Sequence, residues 1–159
     1  MTTPELSSGR LTLVVGGEGA GKTQWCMTQS VRARAHSLPV VWFDGDVSGH
    51  LDRRVQRACA DPLFRAYRPT GMEHALNFLL AWLRLRRRGL VVFDHLDALF
   101  DSEPPSAAAQ RVFRRALGAL HRSRAMWVCS APLERGGWSE TMAVYSERVV
   151  HLGGWSDGS

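Results

Sequence analysis

LTLVVGGEGAGKT, Leu11 to Thr23, is the stretch on which the fold turns. LTLVV is short, apolar and rich in β-branched residues, the pattern of a buried strand. The residues after Thr23, QWCMTQSVRARAH, contain neither Gly nor Pro and suit a helix. Between them, GGEGAGKT (Gly16 to Thr23) fits the spacing G-x-x-x-x-G-K-[ST] of a phosphate-binding loop. In that context Gly16, Gly17, Gly19 and Gly21 let successive N–H groups turn toward one anion, and the helix N-terminus adds its partial positive charge. Lys22 is the only lysine in the chain, against nineteen arginines. An ammonium is a compact charge that enters a tight phosphate site, where the broad guanidinium fork does not substitute for it. The stretch therefore implies a nucleoside triphosphate site, with ATP and Mg²⁺ as its ligands. Its nucleotide-binding residues are Gly16, Gly17, Glu18, Gly19, Ala20, Gly21, Lys22, Thr23 and Gln24, and the Thr23 hydroxyl is a magnesium ligand.

At 159 residues the chain is long enough for one domain with a substantial core. No apolar run approaches the ~20 residues of a membrane span, and the start MTTPELSSGR is not a signal peptide. Cys26, Cys59 and Cys129 are widely spaced and odd in number. That argues against a disulfide framework or zinc site and favours a reducing, intracellular compartment, cytoplasm or nucleus. The net charge of +5 favours acidic partners such as nucleic acid. Arginines cluster at 53, 54 and 57, at 84 and 86 to 88, and at 111, 114 and 115, positions that also suit solvated helix faces. Arg86 to Arg88 just precede Gly89, where cations complement a helix C-terminus.

Apolar runs alternate with helical stretches along the chain, which predicts an α/β domain with a mostly parallel sheet flanked by helices. Strands are expected at Leu11 to Val15, Val40 to Asp44, Phe64 to Tyr67, Leu90 to Asp94, Met126 to Ser130 and Arg148 to Leu152. Helices are expected at Lys22 to His36, His50 to Ala60, Met72 to Arg87 and Ala107 to Arg122. The third carries Leu76, Leu79, Leu80 and Leu83 at helical spacing. Asp101 to Ser106 and Pro132 to Glu140 are expected as loops. The single domain spans residues 10–153, with flexible segments at 1–9 and 154–159.

LVVFD, Leu90 to Asp94, is an apolar strand ending in a carboxylate, some seventy residues after the loop. Asp94 is placed to hold Mg²⁺ opposite Thr23. Asp97 is a second candidate, equally suited to cap a helix. VVWFDGD puts Asp44 and Asp46 at another strand end, where ligands collect in open α/β sheets. A carboxylate there can orient or deprotonate an attacking water, and turn chemistry is the alternative for Asp44 and Gly45. His95 is read as structural.

These residues resemble the RecA/RadA superfamily of strand-exchange recombinases, in particular its archaeal and eukaryotic branch and the paralogues. The likeness rests on GKTQWCM (Gly21 to Met27), WFDGD (Trp42 to Asp46) and FDHLDALF (Phe93 to Phe100), and extends less specifically through WVCSAP (Trp127 to Pro132). It implies a RecA-like ATP-binding core acting in recombinational DNA repair, often as an oligomer, with DNA or a recombinase-like protein as partner. It places the catalytic carboxylate at Asp46, one methylene shorter than the family's glutamate. A displacement of ~1 Å there costs on the order of 10²-fold in rate. The polar pair that couples nucleotide to DNA is replaced by Ser130-Ala131. The following DNA-contacting loop is reduced to Pro132 to Glu140, where Arg135 and Trp138 remain as a cation and a stacking ring, unless the ring docks on the core. The implied protein is a trimmed accessory subunit with weak or absent hydrolysis, Trp155 offering another partner contact. A metabolite kinase with an arginine lid at Arg53, Arg54 and Arg57, or a scaffold stabilised by nucleotide, are the other readings of the same loop.

Overall fold

The computed structural model describes residues 6–46, 50–85, 88–96, 105–134 and 136–153. Strands β1 (Leu11–Val15), β2 (Val40–Asp44), β3 (Phe64–Tyr67), β4 (Arg88–Asp94), β5 (Arg124–Ala131) and β6 (Arg148–His151) alternate with helices α1 (Lys22–Ala35), α2 (Arg53–Ala58), α3 (Met72–Leu85), α4 (Ala107–His121) and α5 (Gly137–Tyr145). They form one six-stranded sheet in the order β3-β2-β4-β5-β1-β6, and every pairing is parallel. The expected "mostly parallel" sheet is thus wholly parallel.

Why these residues make this sheet follows from burial. A parallel sheet covered on both faces asks its inner strands for continuous apolar runs. LTLVV and VVWFD are buried at every position, as is β4 after its first residue. The outer strands FRAY and RVVH each carry two exposed residues, as edges do. From β1 the chain moves one way across the sheet to β2 and β3, then returns through β4 and β5 to β6. Right-handed crossovers then put the helices of the outward path on one face and those of the return path on the other. Two cores result. Cys26, Met27 and Ala33 of α1 and Val55 of α2 pack with Trp42 and Val92. On the opposite face α3, α4 and α5 pack against Phe43, Phe93 and Trp127.

The amphipathic reading of α3 holds: Leu76, Leu79, Leu80 and Leu83 are all buried. Gly89 adopts φ 139°, and a Cβ there would lie 2.7 Å from the Pro39 carbonyl and 2.8 Å from Trp82. Only glycine lets β4 start so close to both.

Element ends differ modestly from the sequence reading. β4 begins two residues early, β5 spans Arg124–Ala131, β6 stops at His151, and α2 is shorter at both ends. α1 and α4 each end one residue sooner than expected, and α3 is described to Leu85. Arg88 starts β4 and does not end a helix; Arg86 and Arg87 lie outside the described residues. The larger correction is α5, because Pro132 to Glu140 was expected as a loop and Gly137–Tyr145 is a helix. Its start is held by Ser139 Oγ, which accepts from the Gly136 N–H at 3.0 Å and donates to the Gly136 carbonyl at 2.7 Å. Ser106, placed in the other expected loop, caps α4 by accepting from Ala109 N–H at 3.1 Å. Before Arg10, Leu6 packs on the core and Gly9 N–H donates to the Ala125 carbonyl. Residues 1–5, 97–104 and 154–159, with Asp97 and Trp155 among them, are outside the described residues, as is Arg135. No helix among the described residues is long and apolar enough to cross a membrane.

Candidate functional site

The loops after β1, β2, β4 and β5 meet at the carboxyl edge of the sheet, where open α/β folds bind ligands. They line a cleft of about 640 Å³ formed by Gly17 to Gln24, Gly45, Asp46, Arg54, His95 and Pro132. Eight of the nine expected nucleotide-binding residues are therefore in one wall. The ninth, Gly16, lies behind it: a Cβ there would sit 2.9 Å from Ala20 Cβ and 3.1 Å from the Leu152 carbonyl.

The loop has the form its glycines permit. Gly19 and Gly21 take φ of 77° and 94°, conformations that side chains disfavour, and a Cβ at Gly17, Gly19 or Gly21 would meet nothing within 4 Å. The backbone here borders open space that an anion can fill. Gly21 caps α1 without any side-chain hydrogen bond, and the first turn of α1 carries no acidic residue. Its leading N–H groups and the positive end of its dipole therefore remain available to a ligand. Lys22, the first residue of α1, donates from Nζ to the Gly16 carbonyl across the loop.

At the floor, Asp94 is 1% exposed and accepts two hydroxyl hydrogen bonds. Thr23 Oγ1 donates to its Oδ2 at 2.8 Å, and Ser130 Oγ donates to its Oδ1 at 2.7 Å. The sequence reading paired Thr23 with Asp94, and the structure brings them together. It treated Ser130 as the remnant of a lost coupling pair, yet Ser130 fixes the Asp94 carboxylate and also accepts from His95 N–H at 3.2 Å. His95 occupies the left-handed region at φ 61°, an uncommon place for a side chain. Its Nε2 lies 3.2 Å from Thr23 Oγ1 and 3.4 Å from Asp94 Oδ2. The histidine read as structural thus faces the same polar cluster.

Magnesium, which the motif implies, suits these donors. The Thr23 hydroxyl and the Asp94 carboxylate are hard oxygen ligands side by side. Among the described residues no three His, Cys, Asp or Glu side chains gather into a metal cage. A magnesium ion here would complete its shell with phosphate oxygens and water, its usual habit. Bound there, it would neutralise phosphate charge.

Asp44 and Asp94 are register partners on neighbouring strands, so two carboxylates end side by side. Asp44 is 2% exposed, and burial raises its pKa above the ordinary aspartate range, aided by the Asp94 charge and opposed by the Asp46 N–H it accepts. A raised folded-state pKa means that a penalty on folding builds as pH rises through the unfolded value and is complete above the folded pKa, and that none remains below the unfolded value. Asp44→Asn keeps the acceptor for Asp46 N–H. It is expected to raise Tm at neutral pH, with the gain fading as pH falls toward about 3.9, the unfolded aspartate value. Melting curves across that range check this.

Asp46, the expected catalytic carboxylate, lines the cleft, and its carbonyl accepts from Arg68. Arg54 reaches the cleft from the start of α2. It pairs with Asp52 at 2.9 Å and donates to Gln24 Oε1 at 2.7 Å, thirty residues away in sequence. In the sequence it appeared only as one of three lid candidates; Arg53 and Arg57 do not line the cleft.

Trp138 needs correction as a stacking ring. It is 4% exposed and packs edge-on to Phe113, with centroids 5.8 Å apart. The ring docks on the core, and its proposed companion Arg135 is outside the described residues. Cys26 and Cys129 are buried core residues, Cys59 is exposed, and none of the three forms a disulfide among the described residues.

No known family model matches the chain, and comparison with curated proteins found no match.

Proposed function

We propose that this chain binds Mg-ATP in the cleft around Gly17 to Gln24 and serves as a RecA-like accessory protein in homologous recombination or DNA repair. The observation that carries the nucleotide part is the Thr23–Asp94–Ser130 hydrogen-bonded cluster directly below an open glycine loop. Lys22 would bind the β and γ phosphates, the loop N–H groups the phosphate oxygens, and Thr23 and Asp94 the magnesium ion. The recombinase part rests on the sequence likeness at Gly21 to Met27, Trp42 to Asp46 and Phe93 to Phe100. Asp46 is the catalytic candidate, and its short side chain argues for weak or absent hydrolysis. An intracellular site of action near DNA, alongside a recombinase-like partner and with oligomer formation open to it, accompanies this reading.

Arg54 favours a second reading, a small-molecule kinase, because a guanidinium over the phosphates is what such enzymes use to hold a transferring group. One assay separates the two. Purified protein with labelled ATP is expected to retain nucleotide and release phosphate slowly, with single-stranded DNA changing the rate. Transfer of the γ-phosphoryl group to a small-molecule acceptor would replace the recombinase reading with the kinase one. A protein that binds ATP and does neither is a nucleotide-stabilised scaffold.

A further inference from the structure

The edge of the sheet opposite the phosphate loop carries a different chemistry. The last turns of α3 and α4 enclose a groove of about 850 Å³ lined by Arg84, Arg114, Arg115 and Arg122 over Leu80, Leu83, Gly118, Ala119 and Ser123. Among the described residues no carboxylate lines it, and all four arginines are exposed. α3 and α4 run into β4 and β5, so the groove opens at the amino edge of the sheet. There the sequence adds more charge. Arg88 and Arg124 begin β4 and β5 and are register partners, and exposed Arg10 leads into β1 beside them.

Like charges directly opposite one another on paired strands destabilise a sheet. Here none of these guanidinium groups lies within ion-pair distance of a carboxylate among the described residues. Of the described carboxylates at this edge, Asp61 is paired with Arg34 beside the outer strand β3, and Glu147, whose N–H donates to the Leu11 carbonyl, stands before β6 next to the start of β1. Glu18, Asp44, Asp46, Asp52 and Asp94 belong to the opposite, nucleotide edge. Most of the described carboxylates thus lie at the nucleotide edge, where Lys22, Arg54 and Arg68 face them, and the amino edge is left predominantly basic.

We infer that this arginine groove and the adjoining strand starts bind the phosphate backbone of duplex nucleic acid, without reading its sequence. Arg114 and Arg122 are eight residues apart on α4 and its cap, about 12 Å along a helix. Over ~12 Å of axis a duplex presents about seven phosphate charges. Guanidinium groups bind phosphate oxygens through paired N–H donors. Among the described residues no aromatic ring lines the groove for an unpaired base to stack on, so the duplex backbone fits it better than a single strand. This site is separate from the segment after β5 that the recombinase likeness assigns to DNA, and it does not depend on nucleotide binding.

The test is fluorescence anisotropy with a labelled mixed-sequence duplex of twenty base pairs, titrated between 50 and 200 mM NaCl. The variant replaces Arg84, Arg114, Arg115 and Arg122 with Gln; the control replaces Arg53 and Arg57, exposed on α2, which covers the other face of the sheet. Wild type, the control and Lys22→Ala are expected to bind alike. The groove variant is expected to lose at least tenfold in affinity at 100 mM salt. Its log–log salt dependence should be shallower by about 3 to 4, at ~0.9 per phosphate contact. Arg115→Gln alone, expected to flatten the slope by about 1, serves if the fourfold variant does not fold. An unchanged slope in the groove variant overturns the inference. So does a wild-type protein that ignores the duplex at 50 mM salt, or one that prefers a polyglutamate peptide over it.

Discussion

Lys22→Ala is expected to weaken ATP binding about 10- to 150-fold while leaving the fold intact, the range of a charge-assisted hydrogen bond worth ~1.5–3 kcal/mol. Lys22 is the first residue of α1, and among the described residues its side chain bonds only across its own loop. No core contact depends on it, so the stability of the unliganded protein should change by no more than about 0.5 kcal/mol. Thermal melting reads both quantities at once. At an ATP concentration 100 times Kd, wild type gains about 2.7 kcal/mol. For a domain of this size that corresponds to a Tm rise of about 5–11 °C. Lys22→Ala at the same concentration should keep the unliganded Tm and lose half or more of the rise. An equal rise in both proteins would remove the phosphate loop as the site. A lowered unliganded Tm would mean that the lysine has a folding role, which its contacts do not show.

The second large effect concerns the core that holds the cleft together. Trp127 lies in the middle of β5, is 0% exposed, and packs between Phe93 at 5.0 Å and Phe113 at 5.7 Å. Trp127→Ala is expected to cost about 3–5 kcal/mol, as large cavities in cores do. That is a large share of the ~5–15 kcal/mol a domain commonly has, and a fall in Tm of about 6–20 °C. Trp127→Phe should cost much less. Its ring keeps the aromatic contacts, and it removes an indole N–H that has no hydrogen-bond partner among the described residues. Urea denaturation of the two variants checks the order. If alanine costs less than phenylalanine, the packing around β5 is not what stabilises this face.

The legible parts of this molecule were those whose cause is local. A buried parallel strand needs an unbroken apolar run, and LTLVV, VVWFD and LVVFD each declare one. The glycine loop declares itself by spacing, because each glycine answers to its own backbone. Long-range contacts left no such mark. Ser130 reaches Asp94 across 36 residues and Arg54 reaches Gln24 across 30, and no periodicity encodes either. Helix α5 was hidden for a different reason. Gly136 and Gly137 at its start signal a turn, and that signal masked Trp138, Met142 and Tyr145 at helical spacing behind it. Once the helix is seen, the tryptophan's burial follows, and a ring that resembled a base-stacking contact becomes part of the core. Asp44 and Asp46 could not be ranked from their shared strand end either. Register beside Asp94 buries the first and leaves the second at the cleft.

The strand order has a consequence for how the chain comes off the ribosome. β1 is made first among the strands but takes its place between β5 and β6, the last two. Leu11 pairs with Trp127, 116 residues later. At ~5–20 residues per second, synthesis keeps β1 without either neighbour for about 6 to 23 s. Throughout that interval LTLVV is an uncharged, β-prone segment with no proline, the kind most apt to pair with another nascent chain. The phosphate loop that follows β1 is likewise unformed until the last third of the chain has emerged, so the nucleotide cannot rescue an unfinished molecule. Productive folding of this sheet waits on its last two strands, and its yield in cells will depend on whatever shields β1 until they arrive.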